Sequence, residues 1–431
     1  IVGGAGSWQI QKTNSFARLG VDCVVIGRGE SVMLELFQKA DAGEDLPQVV
    51  HAPEPTIDEL RVPLRRSTFG IVEMTRGCGR QCAFCSPTLE TRISIPPEQL
   101  LEAVRANVRE GGRIIFAVSE DVFIYGASAP FYIPNADAMV DFYEKVASVP
   151  GVDYVPLSHA TIAPAVVNPH LIKELSKILL PKSVLRNPKS TYPGNRILSP
   201  LIGIETGSAR LAALTMSGKA LPFDIRDWQE IVVEGTNILN ENHWYPVYTF
   251  IVGLPNETDD DIRQSLELLY RLRKNKIIYV PSIFTPLEDT RLAAGHALKP
   301  RELTKLQWEF ILTAWKQTRE LGVVNESSNW LWKGGMYAFY YLRGRWIHGP
   351  QFRYPAMRFA GVSEERLRGH LYLNWSDNGV PGAPPRKPRM VSKHKGSTIE
   401  ELARLQDGQP FNIYGNTRVE QPSPFRVVGQ A

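Results

Sequence analysis

Three cysteines lie within a segment of eight residues in the first fifth of the chain. Cys78, Cys82 and Cys85 are separated by three and then two residues. Thiolates at this spacing can converge from a single loop on one iron–sulfur cluster, and Gly77 and Gly79 let the backbone wrap closely. Three ligands on a four-iron cluster leave one iron open to a substrate or cofactor. The spacing therefore predicts a [4Fe–4S] cluster with an open iron.

The residues alone leave two other uses of these thiols open. A zinc knuckle needs a fourth ligand, but no histidine lies near the loop and the remaining cysteine, Cys23, falls in a predicted strand. A disulfide with one thiol left over is the second alternative. Crowded cysteines do not make a disulfide framework, and they indicate a reducing compartment. We therefore expect a cytoplasmic protein.

Further candidate ligands follow the later predicted strands. Ser119 and Glu120 follow the second strand, Glu205 ends the fourth, and Gly253 and Pro255 follow the fifth. Taken singly, an acidic residue at a strand end is more often a solvated carboxylate than a ligand. The order and spacing of these segments behind the cysteines favour one shared site, because the carboxyl ends of parallel strands lie on one face.

Strands and helices alternate six times over the region that carries these residues. The predicted strands are 69–74, 113–118, 153–157, 201–205, 247–252 and 277–283. Helices are predicted to begin at Pro97, after Asn168 and at Thr258, the first residue of a capping-box pattern. The alternation implies a parallel sheet with right-handed crossovers. We expect an α/β fold whose central part is a partial (β/α)6 TIM-like barrel.

The flanking segments are shorter or less regular. Residues 1–45 predict one end of an α/β unit, with a strand at 22–26 and a helix after Ser31. Residues 46–68 are rich in proline and predict a linker. Residues 291–431 predict a helical and irregular extension.

The predicted C-terminal extension has two notable features. One helical stripe contains Leu303, Leu306, Phe310 and Ala314, and the segment 330–354 is unusually aromatic. Core and cap packing is the plain interpretation of the aromatic segment. A lid over an apolar substrate is the alternative.

The segment 78–85 resembles the signature of the radical S-adenosylmethionine (SAM) superfamily, Cys-x3-Cys-x-aromatic-Cys, with Phe84 at the aromatic position. The resemblance covers residues 69–290, the expected radical SAM core. It implies that the amino and carboxylate groups of SAM chelate the open iron. Reductive cleavage then gives methionine and a 5′-deoxyadenosyl radical that abstracts a substrate hydrogen, while the protein binds and orients the cofactors.

The same resemblance implies roles for the strand-end residues. Ser119 and Glu120 lie where the family contacts the methionyl amino group, although they differ from its usual Gly-Gly-Glu pattern. Glu205 matches an acidic position that contacts ribose and methionine. Gly253 and Pro255 belong to a segment similar to the one that lines the adenine site.

The N-terminal sequence is similar to radical SAM enzymes with a cobalamin-binding domain. Gly3, Gly4 and the segment 20–30 resemble one edge of that flavodoxin-like domain, in which a Gly-Gly pair approaches the nucleotide tail of cobalamin. The plain alternative is that both glycines only end a strand. The remaining strands of such a domain would precede residue 1. We therefore expect little cobalamin binding by residues 1–431 and binding by a form extended upstream.

These expectations combine into one leading hypothesis. The chain is expected to use a [4Fe–4S] cluster, SAM and, as a further candidate, cobalamin to transfer a methyl group to an unactivated carbon. The alternatives are a cobalt-free radical SAM enzyme, for rearrangement, C–C bond formation or methylthio transfer, and a non-catalytic metal-binding protein. Methylthio transfer is less favoured because no second cluster motif and no RNA-binding barrel is evident.

The expected partners follow from the same hypothesis and from composition. An external electron donor of the flavodoxin or ferredoxin type would reduce the cluster, and the substrate is an unidentified small or lipophilic molecule. A net charge of +4 is too small to imply nucleic acid. No apolar run approaches the roughly 20 residues that span a bilayer.

Overall fold

The computed structural model describes residues 1–321, apart from residues 61, 64, 91 and 128–131, together with residues 338, 342, 343, 346, 387, 388 and 390. The fold is mixed α/β, with helices and parallel sheets. The strands are β1 (Val24–Ile26), β2 (Val49–His51), β3 (Ile71–Glu73), β4 (Thr75–Arg76), β5 (Ile93–Ser94), β6 (Phe116–Val118), β7 (His159–Ala160), β8 (Leu201–Glu205), β9 (Val247–Val252) and β10 (Ile278–Ile283). The helices are α1 (Trp8–Lys12), α2 (Phe16–Leu19), α3 (Met33–Asp41), α4 (Pro97–Arg109), α5 (Ala136–Ser148), α6 (Ala163–Val167), α7 (Pro169–Leu179), α8 (Ala209–Met216), α9 (Trp228–Glu241), α10 (Asp259–Arg271) and α11 (Lys305–Glu320).

The largest sheet has four parallel strands in the order β7, β8, β9 and β10. Helices α8 and α9 connect β8 to β9, and α10 connects β9 to β10, as parallel pairing requires. Strands β3 and β6 form a second parallel pair. Isolated parallel bridges, Ile114 to Tyr154 and Ala117 to Leu157, link β6 to the segment before β7. The carboxyl ends of all these strands therefore face the same way.

The predicted strands agree with the structure except for the third. Strands β8 and β9 have the predicted boundaries, and β3, β6 and β10 lie inside the predicted ranges. The strand predicted at 153–157 is wrong, because these residues form only isolated bridges and the regular strand is β7. Pro156 has no N–H group, so it interrupts the hydrogen-bond ladder at this point.

The predicted helix starts are confirmed. Pro97 is the first residue of α4, and the side chain of Asn168 accepts a hydrogen bond from the N–H of Leu171 at 3.0 Å at the start of α7. Thr258 and Asp261 form the capping box of α10, where the Thr258 N–H donates to the Asp261 carboxylate at 2.7 Å. These caps satisfy N–H groups that would otherwise lack partners.

One large apolar cluster packs between the strands and the helices. Trp228, Trp244 and Phe250 are fully buried in it. The stripe predicted on the C-terminal helix is buried as expected and consists of Leu303, Leu306, Phe310 and Ala314. Helix α11 thereby covers α10 and the edge strand β10.

Residues 1–52, here called the N-terminal unit, contain a small separate sheet. β1 pairs with β2 in parallel, and Val2 adds an isolated parallel bridge on the other side of β1. The linker prediction for 46–68 is therefore wrong at Val49–His51. Strand β1 is buried on both faces, and its N–H and C=O groups need a partner strand, which this segment supplies.

The aromatic segment predicted at 330–354 lies outside the described residues, apart from 338, 342, 343 and 346. Farther along the chain, Met390 forms an isolated antiparallel bridge with Phe223 and packs against the main core. None of the described helices has the length and apolar character needed to cross a membrane.

Candidate functional site

The cysteine loop follows β4 and lies at the carboxyl end of β3. Cys82 is buried, Cys78 and Cys85 are half-buried, and none of the three forms a disulfide. Gly77 and Gly79 have φ angles of 63° and 74°. Such angles favour glycine, so these residues allow the loop to turn as the sequence suggested.

Burial dominates the acid–base properties of the thiols. It raises the pKa of Cys82 to about 11 and that of Cys85 to about 12, and it also raises the pKa of Cys78. Cys78 raises the pKa of Cys82 and Cys82 raises that of Cys85, whereas the ammonium of Lys219 lowers both. The thiols are therefore close enough to interact, and a positive charge favours their ionised forms.

The donor set fits an iron–sulfur cluster. Within the part of the chain that the structure describes, no three His, Cys, Asp or Glu side chains are arranged around a single metal ion. The ligands of a cluster bind separate iron atoms, so they need not gather at one point. A metal centre must displace the protons of its thiol ligands, and a nearby cation assists this exchange.

Arg80 connects the cysteine loop to the end of β6. Its guanidinium is 1% exposed and donates to Oδ2 of Asp121 from Nε at 3.1 Å and from Nη2 at 2.9 Å. Its Nη1 donates to the carbonyl oxygen of Gly218 at 3.0 Å. Asp121 also accepts hydrogen bonds from the N–H and the hydroxyl of Thr161 at 3.1 and 2.6 Å. This buried ion pair joins four segments of the chain.

Glu205 and Lys219 form a second buried ion pair beside the thiols. Nζ of Lys219 lies 2.8 Å from Oε1 of Glu205 and 2.9 Å from the carbonyl oxygen of Gly203. The two side chains are only 12% and 8% exposed. A side chain at Gly203 would overlap both charged groups. Burial lowers the pKa of Lys219, but Glu205, Cys82 and Cys85 raise it, and the net shift is upward. The ammonium is therefore close enough to the cysteine loop to interact with two of its thiols.

Two neighbours complete this part of the site. The hydroxyl of Thr249 on β9 lies 3.3 Å from both carboxylate oxygens of Glu205. The ring of Phe84, the aromatic residue of the cysteine motif, lies 5.6 Å from Nζ of Lys219. The arrangement offers a zwitterionic ligand one carboxylate and one ammonium next to three thiols.

Ser119 and Glu120, the candidate residues after β6, lie in different surroundings. The hydroxyl of Ser119 is 2.5 Å from that of Thr75, and its N–H donates to Ser158 at 3.0 Å, so Ser119 belongs to a buried network. Glu120 is exposed. Asp121 is the member of this segment that reaches the cysteine loop.

The turn after β9 carries Gly253 and Pro255. Gly253 has a φ of 86°, and its N–H donates to Oε2 of Glu257 at 2.9 Å. The same oxygen accepts a hydrogen bond from Nε2 of Gln307 on α11 at 2.8 Å. Burial raises the pKa of Glu257 to about 7. Pro255 is half-buried. The turn is thus held to the C-terminal helix through one carboxyl group.

Gly3 and Gly4 lie in the N-terminal unit. Gly4 has a φ of 98°, and no atom lies within 4 Å of the position that a Cβ would take. A Cβ on Gly3 would lie 3.7 Å from that of Val25. The space beside Gly4 is therefore open within the described residues.

The turn after β1 contacts both flanks of the cysteine loop. Arg28 forms ion pairs with Glu90 and, at 3.5 Å, with Glu54. Glu30 forms an ion pair with Arg76, two residues before the first cysteine. The segment that suggested a cobalamin domain is therefore in direct contact with the predicted cluster loop.

Sequence reasoning missed three charged residues of this site. Arg80 and Asp121 lie within segments that the motifs had singled out, but nothing in their spacing indicated a pair. Lys219 is fourteen residues from Glu205, beyond helix α8, and no motif marked it. A search for basic residues after each strand end would have found it.

Known proteins similar in sequence support the interpretation of the motifs. No family model matches the chain. A tRNA-2-methylthio-N(6)-dimethylallyladenosine synthase from Nitratiruptor sp. is 26% identical over 243 residues, 55% of this chain and 50% of that protein. The corresponding synthase from Chloroflexus aurantiacus is 24% identical over 323 residues, 70% of this chain and 63% of that protein. These relatives are radical SAM methylthiotransferases.

In sequence the chain resembles enzymes of the radical SAM superfamily. The chain spans about half the length of the curated relatives that it matches. The match to the Nitratiruptor protein, for example, covers 50% of that protein. Members of this radical SAM superfamily use a [4Fe–4S] cluster and SAM, the cofactors that the cysteine motif predicted.

Solved structures of radical SAM proteins also match in part. The methyltransferase TsrM from Kitasatospora setae, with cobalamin and a [4Fe–4S] cluster bound, has a TM-score of 0.47 and 13% identity, covering 68% of this chain and 56% of that one. The cobalamin-dependent SAM radical enzyme OxsB has a TM-score of 0.47 and 12% identity, covering 86% and 66%.

Proposed function

We propose that the protein is a radical SAM enzyme whose [4Fe–4S] cluster is held by Cys78, Cys82 and Cys85. The observation that carries the proposal is the meeting of these thiols with the buried Glu205–Lys219 pair. When bound, the cluster would supply the electron for reductive cleavage of SAM. The chain's own residues bind and orient SAM and keep the site closed to water.

The strand-end residues would hold the organic part of SAM. In this proposal the amino and carboxylate groups of the methionyl part would bind the open iron, and Glu205 and Lys219 would orient them by hydrogen bonds. Thr249 orients the Glu205 carboxylate. The turn at Gly253 and Pro255 would line the adenine site. The alternating strands form a partial (β/α)6 barrel in this proposal, and the site lies at its carboxyl end.

Metal analysis tests the cluster. Anaerobically reconstituted protein is expected to contain about four iron and four sulfide per chain. Cys78→Ala, Cys82→Ala or Cys85→Ala should each abolish this content. Cys23→Ala is the matched control, because Cys23 is buried in the N-terminal unit. Stoichiometric zinc without iron–sulfur absorbance would overturn the proposal.

Formation of 5′-deoxyadenosine tests SAM cleavage. With dithionite, the reconstituted protein should form this product even without its substrate. Glu205→Ala should weaken SAM binding and leave the iron content unchanged, since Glu205 is assigned to SAM and not to iron. Loss of iron in this variant would contradict the assignment.

For the transferred group we propose methyl transfer to an unactivated carbon with cobalamin as a second cofactor. The supporting observation is that the Gly27–Glu30 turn of the N-terminal unit contacts both flanks of the cysteine loop through Arg28 and Glu30. A corrin bound at Gly3 and Gly4 would then be held by the same unit that contacts the cluster loop.

Cobalamin loading tests this step. Residues 1–431 and a form extended upstream of residue 1 are incubated with cobalamin, desalted and examined by visible absorbance. The extended form should retain cobalamin, and Gly4→Val should reduce retention because its side chain would occupy the open space at this position. If the folded extended form retains none, the methyl-transfer proposal fails.

Methylthio transfer is the second candidate, and the sequence relatives favour it. Those proteins are named for methylthio groups on tRNA adenosine, so a tRNA substrate would come with this activity. Against it, the chain has only one cysteine beyond the three of the loop, Cys23, which is buried. Mass spectrometry of tRNA treated with the enzyme would detect a methylthio group if this candidate is correct.

A further inference from the structure

Arg92 is a second arginine near the cysteine loop, and it pairs with no carboxylate among the described residues. Its Nη2 donates to the carbonyl oxygen of Ala127 at 2.6 Å. Its Nη1 is buried and has no hydrogen-bond partner within the described part of the chain. The neighbouring positions 91 and 128–131 contain no acidic residue. Within the described residues, Arg92 therefore has only a neutral acceptor.

An aromatic stack holds Arg92 at the loop. The guanidinium carbon of Arg92 lies 5.4 Å from the centroid of the Tyr132 ring, and that of Arg80 lies 4.5 Å from the same ring. The Tyr132 hydroxyl donates to the carbonyl oxygen of Gly79 at 2.6 Å, next to Cys78. Both guanidinium groups are thus close to the first predicted cluster ligand.

The two arginines differ in charge compensation. Asp121 neutralises Arg80 through two hydrogen bonds, whereas no described carboxylate forms such a pair with Arg92. Burial lowers the pKa of Arg92, and so does the charge of Arg80, while the Cys78 thiolate raises it. A guanidinium still remains protonated in a protein. Among the described residues, the loop therefore has one half-buried positive charge that is not paired with a carboxylate.

A cluster on three thiolates would supply the missing negative charge. Such a cluster is anionic, and it becomes more so when it takes up one electron. A fixed cation in a site of low dielectric constant stabilises the more negative form more strongly. Net charge around a cluster is one of the factors that set its reduction potential.

We propose that Arg92 is the charge partner of the cluster and raises its reduction potential by stabilising the reduced form. This inference rests on the proposed cluster at the three cysteines. Arg92 exchanges no proton and forms no bond in the reaction. One electron from the external donor enters the cluster, and Arg92 lowers the energy of the product of that step.

The test compares Arg92→Gln and Arg92→Lys with the wild type. Each protein is reconstituted anaerobically, its iron content is measured, and its cluster is titrated with a redox mediator series followed by absorbance and electron paramagnetic resonance. Arg92→Gln should lower the equilibrium constant for reduction at least tenfold, about 59 mV for one electron. Arg92→Lys keeps the charge and should stay near the wild-type potential. Arg263→Gln, at an exposed site on α10, is the matched control and should show no shift.

The outcomes distinguish failure of the proposed cluster from failure of the proposed role of Arg92. If the wild type holds no iron, the proposed cluster fails first. If Arg92→Gln holds normal iron and its potential is unchanged, or if Arg92→Lys shifts equally, the charge-partner role is wrong. Weaker SAM binding at an unchanged potential would assign Arg92 to a ligand carboxylate instead and would also overturn it.

A second neutral variant tests the proposal if Arg92→Gln fails to assemble the cluster. If Arg92→Gln does not retain iron, Arg92→Met is made beside Arg92→Lys. Loss of iron in both neutral variants with normal iron in the lysine variant would support the charge role. Loss in all three would show that the shape of the arginine side chain matters, and the proposal would fall.

Discussion

Asp121 is the acceptor on which several parts of the site depend. It binds Arg80 and Thr161 and accepts the N–H of Phe123 at 3.1 Å. Both members of the Arg80–Asp121 pair are almost completely buried. Removal of one member of such a pair leaves an uncompensated charge in the interior, which costs far more than loss of a surface pair.

Asp121→Ala is therefore expected to lower the free energy of unfolding by about 3–5 kcal/mol. The control is Asp153→Ala, which breaks an ion pair whose Arg113 is 71% exposed, and whose loss should cost less than about 1 kcal/mol. Urea unfolding followed by circular dichroism measures both. Equal effects of the two substitutions would mean that the buried pair does not hold the loop.

The raised pKa of Glu257 predicts that the stability of the protein depends on pH. Its pKa is raised from an ordinary value of 4.5 to about 7, first by burial. Between these values the folded protein keeps a proton that the unfolded chain has released, so stability falls as the pH rises through this interval. The loss relative to Glu257→Gln should reach up to about 3 kcal/mol.

The measurement is the difference in unfolding free energy between wild type and Glu257→Gln at pH 5 and pH 8. The glutamine oxygen can still accept the hydrogen bonds from Gly253 and Gln307. The variant should therefore gain stability relative to the wild type at the higher pH. A difference that does not change with pH would contradict the raised pKa.

At the scale of the elements, the cysteine loop and the segment after α8 are in very close backbone contact. Gly218 lies against Arg80, so that a Cβ on Gly218 would be 2.8 Å from the carbonyl carbon of Arg80. The N–H of Ala83 also donates to the carbonyl oxygen of Thr215 at 2.7 Å. This contact sets the position of Lys219, the next residue in the chain.

Gly218→Ala should therefore separate the two segments. We expect a loss of about 1–3 kcal/mol, typical of overpacking, and reduced iron retention after reconstitution. Gly6→Ala is the matched control, because no atom lies within 4 Å of its Cβ position. Thermal unfolding and iron analysis of both variants measure the effects, and normal iron retention in Gly218→Ala would refute the coupling.

At the scale of the whole molecule, the parts of the chain differ in the size of their cores. The N-terminal unit has two small apolar clusters, one around Phe16 and one around Leu36. The strands β8 and β9 lie in the large cluster. Regions with few buried apolar contacts open with the least free energy.

Hydrogen exchange followed by mass spectrometry should therefore show earlier exchange in residues 1–52 than in β8–β10. The ion pair of Arg28 with Glu90 is partly exposed and adds little stability. Peptides from α11 serve as an internal reference, because this helix packs on the large cluster. Equal protection of the two regions would show that the N-terminal unit unfolds together with the rest.

Local signals in the sequence were sufficient for several features of this protein. Each of these features depends on residues that lie close together in the chain. They are the loop that carries the three cysteines, the helix caps at Asn168 and Thr258, and the boundaries of β8 and β9. The resemblance to the radical SAM superfamily followed from the cysteine motif, and the sequence relatives support it.

The tertiary structure determined which charged side chains of the site form pairs. Arg80 and Asp121 are 41 residues apart, and Lys219 reaches Glu205 from beyond a helix. The pairing of Val49–His51 with β1 likewise depends on a strand about 25 residues earlier. Parallel strands bring distant segments to one edge of the sheet, and no local pattern states which side chains meet there. The sequence by itself therefore determined which ligands and elements are present, whereas burial and strand order determined which charges compensate one another.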